Sequence, residues 1–175
     1  MLFSNFLLLW ITSFVDEGHI TNQRSKDLYQ QIILASTVLS IFMAPLFGFV
    51  SDKLPSKVVI PIAVLLRATC SYAFMFMTNP ESVMAMAICV MLIVFTMLEA
   101  ISIEVLFFRG MPNNIRGTMM GCFAFFGQIG TLLFTLIGGQ MFDRIGRNSP
   151  FVFIGIMDTF LLILTLVMVC LGKLK

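Results

Sequence analysis

Charged residues are scarce in this 175-residue chain, at 11% of the total, whereas apolar residues make up 59%. A soluble domain is about half apolar and about a quarter charged. No soluble chain of this length could bury so much apolar surface, so the composition predicts an integral membrane protein in contact with the lipid bilayer. The formal net charge is only +2 and there is no basic run, so we expect no nucleic-acid partner.

The residues that usually build catalytic and metal sites are also few. His19 is the only histidine, and the four cysteines form no Cys-x-x-Cys pair. All four cysteines fall inside apolar segments, where packed thiols are the ordinary interpretation. The sequence therefore predicts that the protein is not an enzyme and that it has no catalytic residues, no metal site and no cofactor.

Long apolar runs dominate what is present. Six segments, separated by short polar stretches, cover roughly residues 1–15, 29–51, 58–77, 82–108, 116–141 and 150–172. A membrane-spanning helix needs about 20 residues, so five segments are long enough and the first is short. The runs are continuous and not alternating, which excludes barrel strands. The predicted fold class is an all-α integral membrane protein with six transmembrane helices.

Two stretches of the sequence share the pattern Gly-x-x-x-Asp followed by a cation. Their aspartates, Asp52 and Asp143, are 143 − 52 = 91 residues apart, and each stretch ends a long apolar segment. With three segments in each repeat, the two copies lie on opposite faces of a membrane. The spacing predicts two inverted three-helix repeats, residues 1–81 and 82–175, which together form one six-helix membrane domain.

Loop charges predict the orientation of the chain. Six spans place both termini on one face, which carries six cations outside the apolar segments, whereas the other face carries four. Lys and Arg are more frequent on the cytoplasmic side of membrane proteins. We therefore expect a multi-pass protein with both termini in the cytoplasm or, for a protein of an organelle such as the mitochondrial inner membrane, in the matrix.

Three charged residues lie deep inside apolar segments, where an unpaired charge is costly. Arg67 is ten residues into the third segment, and Glu99 lies at a similar depth in the fourth. Asp158 lies in the sixth segment. Because 158 − 67 = 91, Arg67 and Asp158 occupy equivalent positions in the two repeats. We expect Arg67 to pair with Asp158, and Glu99 is the competing partner.

One stretch, residues 48–57, resembles the signature loop between helices 2 and 3, repeated between helices 8 and 9, of the major facilitator superfamily. The resemblance implies a latch that holds one face shut, formed by Gly48, Asp52, Lys53 and Arg109. An acid at the end of a helix opposes the helix dipole, so Asp52 needs a cation, and Arg109 is the natural candidate. An exposed pair of Asp52 with Lys53 is the competing interpretation. Gly48 is expected to let its helix approach a neighbour closely.

Two further stretches are similar to the second half of that family. Residues 111–118 resemble the loop that enters helix 11, and residues 127–151 resemble helix 11 running into helix 12. The stretches follow one another in the order of the family and cover most of the chain. They imply the C-terminal six-helix half of such a transporter.

The resemblance also implies where a substrate would bind, because the helices equivalent to the first and fourth segments line the central cavity. The substrate-lining candidates are Asn5, Trp10, Thr96, Glu99, Ser102 and Gln128. For Glu99, contact with a substrate or a proton competes with pairing to Arg67. The helices that carry Arg67 and Asp158 lie away from the transport path in the family, so a structural pair is favoured there over a proton relay.

Two functions remain open at this stage. In the first, the chain is half of a secondary transporter that moves a small solute by alternating access. It then needs a second six-helix half from the same polypeptide, another chain or a second copy. In the second, it is a transporter-derived structural subunit of a larger membrane complex and no longer transports.

Overall fold

Hydropathy accounts for most of the helix boundaries in a computed structural model of the protein. The structure describes residues 2–16, 18, 20–110, 112 and 115–172, with side chains for all of these except 2–5 and 16. The helices, in chain order, are α1 Leu2–Asp16, α2 Asn22–Lys53, α3 Ser56–Met75, α4 Val83–Gly110, α5 Arg116–Arg144 and α6 Ser149–Cys170. The described residues contain no strand, so this part of the chain is all-helical.

Five of these helices are long and apolar enough to cross a membrane, and α1 is not. The described α1 has 15 residues, which is about 22 Å at 1.5 Å per residue. The hydrocarbon core of a bilayer is about 30 Å thick. The first segment, predicted to be short from hydropathy, is thus also short in the structure. Because the other five helices can each cross a membrane, the protein is an integral, multi-pass membrane protein.

The start of α2 differs most from the predicted boundaries. The apolar segment begins at residue 29, whereas the helix begins at Asn22, seven residues earlier. Six of these seven residues are polar, so they lower the local hydropathy, but the chain here forms helical backbone hydrogen bonds such as Ser25 N–H to Thr21 O at 3.0 Å. With 32 residues, α2 is about 48 Å long, so its polar first turns extend beyond the hydrocarbon.

The packing is centred on α3, which lies against α6 and α4, while α2 lies against α4. Two clusters of buried apolar side chains hold these helices together. In one cluster the Phe74 ring centroid lies 4.7 Å from that of Trp10 and 4.2 Å from that of Phe151. The other cluster contains Phe47 and Val94. Aromatic stacking therefore ties α1 to α3 and α6.

Among the helices, α5 is the least buried. Its one buried residue is Gly138, where a Cβ atom would lie 2.5 Å from Cζ of Phe6 on α1. The Phe6 ring also meets the Phe134 ring edge-on, with 6.3 Å between centroids. α5 also packs against α6, and its Phe123 ring centroid lies 5.0 Å from that of Phe107 on α4. Most of the α5 surface is therefore not covered by the described part of the chain.

Contacts between helix ends show that the chain reverses direction at each loop. At one end, Arg24 Nε donates to Glu81 Oε1 at 2.9 Å, and the Arg147 guanidinium lies 4.0 Å from the centre of the Phe14 ring. At the opposite end, Arg109 of α4 donates to the last turn of α2. The first set brings together the connections α1–α2, α3–α4 and α5–α6, and the second brings together the ends of α2 and α4. Successive connections therefore lie at opposite ends of the helices.

Gly138→Ala should destabilise the protein relative to its matched neighbour Gly139→Ala. A Cβ at position 138 requires the buried Phe6 ring to move, whereas a Cβ at position 139 meets nothing within 4 Å. Overpacking costs about 1–3 kcal/mol, and the gain in helix propensity is the same at both positions. We expect thermal unfolding in detergent to show Gly138→Ala less stable by about 1–3 kcal/mol. Equal stabilities would contradict the packing of α5 on Phe6.

Candidate functional site

The Arg67 side chain on α3 lies between an acid on α6 and an acid on α4. Its Nε donates to Asp158 Oδ2 at 2.9 Å, and its Nη2 donates to Asp158 Oδ1. The two groups therefore meet as a bidentate fork, the strongest arrangement of guanidinium and carboxylate. Asp158 is 1% exposed. The residues that the 91-residue spacing relates are in direct contact.

Glu99 on α4 is the second acid at the same guanidinium. Arg67 Nη1 lies 2.5 Å from Glu99 Oε2, which is ion-pair distance. Within the described part of the chain, Oε2 is buried and has no hydrogen-bond donor. From the sequence, Asp158 and Glu99 compete for Arg67, whereas in the structure Arg67 contacts both.

The cluster holds one cation and two carboxyl groups. A charge removed from water needs a partner, and one guanidinium neutralises one carboxylate. The second carboxyl group is therefore where a proton or a cationic ligand group would complete the charge balance. Glu99 is the better placed of the two, because both oxygens of Asp158 already accept hydrogen bonds from Arg67.

A second polar contact between α3 and α6 was not predicted from the sequence. Tyr72 Oη lies 2.9 Å from Thr159 Oγ1, and either oxygen can donate. The Tyr72 ring lies over Gly155, where a Cβ atom would come within 3.0 Å of it. Gly155 is therefore a packing glycine that lets α3 and α6 approach beside the charge cluster. The one sequence feature that could have indicated this close approach is that Gly155 lies three residues before the intramembrane acid Asp158.

Trp10 lies inside the apolar cluster and not beside an open cavity. It is 1% exposed, and its Nε1 donates to Asn148 Oδ1 at 2.8 Å. Asn148 Nδ2 in turn donates to the backbone carbonyl of Met75 at 3.0 Å. Asn148 thus links α1 and the end of α3 to the start of α6, a role that the sequence did not indicate because asparagine is ordinary in a loop.

The other substrate-lining candidates occupy different environments. Ser102 is buried, and its Oγ lies 3.2 Å from Ser51 Oγ on α2. Thr96 is half-buried and donates to the carbonyl four residues earlier on its own helix at 2.7 Å. Gln128 on α5 is exposed. Asn5 belongs to α1, but its side chain lies outside the described residues.

The side chain of Arg109, which belongs to α4, reaches the last turn of α2, as the latch requires. Its Nη2 donates to the backbone carbonyls of Ser51 and Asp52, both at 2.8 Å. The Asp52 carboxylate is farther away, with Oδ1 at 3.6 Å from Nη2. The last carbonyls of a helix have no partner within it and carry partial negative charge. Arg109 therefore caps α2 mainly through its backbone and only secondarily through the acid.

Two of the four latch residues differ from expectation. A Cβ atom at Gly48 would meet nothing within 4 Å, so the expected close approach at Gly48 is wrong for this chain. The side of α2 that is buried near this end carries Phe47 and Ser51, and successive residues turn by about 100° around a helix. Gly48 is about 100° from Phe47 and about 60° from Ser51, so it lies at the edge of that side. Lys53 Nζ lies 4.4 Å from the centre of the Phe49 ring and not at the Asp52 carboxylate.

In a comparison with known protein families, the sequence model of the Major Facilitator Superfamily matches residues 1–173 of this chain. The chain belongs to the major facilitator superfamily. This is a family of membrane transporters, so the chain is a transporter-type membrane protein, in agreement with its apolar helices and intramembrane charges.

Among known proteins, the chain is similar to the magnetosome protein MamH of Paramagnetospirillum magneticum (strain ATCC 700264 / AMB-1). The two are 40% identical over 45 residues, which are 26% of this chain and 10% of that protein. The chain thus matches about a tenth of the length of this relative, which is too little to infer a substrate for this chain from it. No solved structure matches the chain.

The effects of Arg67 and Asp158 on stability should be coupled. Arg67→Leu leaves two buried carboxyl groups without their cation and should lower the free energy of unfolding by about 3–5 kcal/mol. Asp158→Leu leaves Arg67 in contact with Glu99 and should cost less. The double variant should lose less than the sum, as measured by unfolding in detergent. Arg24 and Glu81 are the control pair, because their side chains are 53% and 46% exposed and should couple by about 0–1 kcal/mol. Additive losses at Arg67 and Asp158 would contradict an interaction.

Arg109→Gln should destabilise the protein more than Asp52→Asn does. The first change removes a charged donor from two helix-terminal carbonyls, at about 1.5–3 kcal/mol for a charge-assisted hydrogen bond. The second removes only an exposed ion pair, at about 0–1 kcal/mol. Thermal unfolding of the two variants side by side gives the order. A larger loss in Asp52→Asn would mean that the carboxylate, and not the α2 carbonyls, holds Arg109.

Proposed function

We propose that this chain is half of a major-facilitator-type secondary transporter, equivalent to its C-terminal six helices, that moves a small solute by alternating access. It works with a second six-helix half, supplied by the same polypeptide, by another chain or by a second copy. The observation that carries this proposal is a face of α5 that the described chain leaves uncovered.

That face is a stripe of small and polar residues, which we call the α5 stripe. Its members follow one another at alternating steps of four and three along the helix: Gly117, Gly121, Ala124, Gln128, Thr131 and Thr135. All are exposed except the half-buried Thr131. A Cβ atom at Gly117 or Gly121 would meet nothing within 4 Å. Steps of four and three keep residues on one side of a helix.

A stripe of this kind is suited to contact with another helix and not with lipid. Membrane helices associate through small residues that let backbones approach, and through polar side chains that hydrogen-bond across the interface. Gln128 in particular would leave its amide without a partner in hydrocarbon, where an unsatisfied polar group costs several kcal/mol. These features support a second six-helix half packed against α5.

The internal symmetry of the proposal is that of two inverted repeats, residues 1–81 and 82–175. Shifting α5 back by 91 residues gives 25–53, and α2 is Asn22–Lys53. Shifting α6 gives 58–79, and α3 is Ser56–Met75. The contact between Arg67 and Asp158 joins equivalent positions. Both termini are proposed to lie on the cytoplasmic face, or on the matrix face of a mitochondrial inner membrane.

Glu99 is the proposed site of contact with a proton or a substrate cation. Both oxygens of Asp158 accept hydrogen bonds from Arg67, whereas Glu99 Oε2 accepts none within the described residues. Gln128 and Thr96 are proposed to line the cavity formed with the second half, together with Asn5. Trp10 and Ser102 are weaker candidates, since both are buried and hydrogen-bonded inside the chain. Arg67 with Asp158 is proposed as a structural pair, and Asp52 with Arg109 as the latch.

The second candidate function is a transporter-derived structural subunit of a larger membrane complex. The observation that favours it is that Trp10, Ser102 and Glu99 all make polar contacts within the chain, so that half of the cavity candidates are already engaged. Under this alternative the α5 stripe packs against a neighbouring subunit and no solute moves.

Uptake into vesicles separates the two functions. The protein, purified with the chains that accompany it, is reconstituted and supplied with labelled sugars, amino acids, organic acids, nucleosides and divalent cations. A transporter takes up one class, and Gln128→Ala should raise its KM. The control is Phe126→Ala, two residues away on the opposite side of α5 and 69% exposed. Uptake of no class, with the accompanying chains retained, would refute transport and favour the subunit.

A further inference from the structure

A pocket lies where the ends of α2 and α4 meet the start of α5. Its volume is about 410 Å³, and it is lined by Asp52, Val105, Phe108, Arg109 and Arg116. Two guanidinium groups and one carboxylate give its wall an excess of one positive charge. Asp52 and Arg109 are the proposed latch residues, whereas Arg116 has no role in the proposed transport.

Both arginines are held in place by backbone carbonyls. Arg109 Nη2 donates to the carbonyls of Ser51 and Asp52, and Arg116 Nη2 donates to the carbonyl of Phe108 at 3.2 Å. Within the part of the chain that the structure describes, the Nε and Nη1 groups of both arginines have no acceptor. Two anchored guanidinium groups with spare donors are suited to bind an oxyanion.

The rest of the pocket wall is apolar. Val105 and Phe108 belong to the last turns of α4, and the Arg116 guanidinium lies 5.3 Å from the centre of the Phe108 ring. Lys53, the last residue of α2, and Lys57, in the first turn of α3, lie at the same side of the protein. The pocket thus combines oxyanion donors with an apolar wall at the end of membrane-spanning helices, where lipid headgroups lie.

We propose that this pocket binds an anionic phospholipid. The phosphate lies between the guanidinium groups of Arg109 and Arg116, and the glycerol and upper acyl chain lie along Val105 and Phe108. The excess positive charge of the wall selects a headgroup of net negative charge over a zwitterionic one. A free phosphate ion would use the same donors but would gain nothing from the apolar wall.

Lipid titration of the full chain tests the proposal. The protein is held in phosphatidylcholine bilayers of nanodiscs, phosphatidylglycerol of the same acyl chains replaces the host lipid stepwise, and the dissociation constant follows from the rise in unfolding temperature. Each removed arginine should weaken phosphatidylglycerol binding about fivefold, the equivalent of about 1 kcal/mol for a cation at the membrane surface. Arg24→Gln, which removes the same charge at the opposite end of the helices, should change binding less than about twofold.

Asp52→Asn provides a control of opposite sign. It removes the negative charge from the pocket wall, so it should tighten phosphatidylglycerol binding while Arg116→Gln weakens it. Should Arg109→Gln fail to fold, Arg116→Gln and Asp52→Asn decide the result. The proposal is overturned if phosphatidylglycerol binds no better than phosphatidylcholine, if Arg24→Gln weakens binding as much as Arg116→Gln, or if Asp52→Asn weakens it. Equal stabilisation by inorganic phosphate would assign the pocket to a free anion and overturn the lipid assignment.

Discussion

The bilayer interior tolerates a charge only where another charge meets it, and the arrangement of α3, α4 and α6 depends on that constraint at Arg67. A guanidinium that forks onto Asp158 and also touches Glu99 sets the rotation of three helices at once. Apolar side chains alone would pack at many rotations, because lipid and leucine are equally apolar and give no preference between them. The contacts of Arg67 with Asp158 and Glu99 favour one of these rotations for each helix.

The same constraint explains why the helices are unequally buried. α3, which carries the intramembrane cation, packs against both α4 and α6, and the contacts of Tyr72 and Gly155 follow along the interface with α6. α5 carries no charge between its ends, and apolar contacts hold it against the chain, at Phe6, at Phe107 and along α6. Its small and polar stripe stays uncovered by the described part of the chain. This uncovered face is the feature on which the proposed second half rests.

The two ends of the bundle use arginine in different ways. On one end Arg24 pairs with an exposed acid and Arg147 lies over the Phe14 ring. On the other, Arg109 and Arg116 bind helix-terminal carbonyls and keep spare donors facing a pocket. Capping by a cation neutralises the partial negative charge at the end of a helix. The two arginines that bind these carbonyls also line the pocket that we propose binds an anionic phospholipid.

By itself, the sequence determined membrane residence, the number and order of the helices, most of their boundaries and the family. These properties follow from local hydropathy and short motifs, which do not depend on what a residue touches. It also related Arg67 to Asp158, because they are 91 residues apart, the same spacing as that between Asp52 and Asp143. Only the tertiary structure decided that Glu99 shares Arg67, that Trp10 binds Asn148, that Arg109 holds carbonyls more closely than the Asp52 carboxylate, and that Gly48 faces open space. Each depends on how far a helix is rotated about its axis, and one residue changes that direction by about 100°. Side chains from helices far apart in sequence set the rotation together, so no single segment contains it.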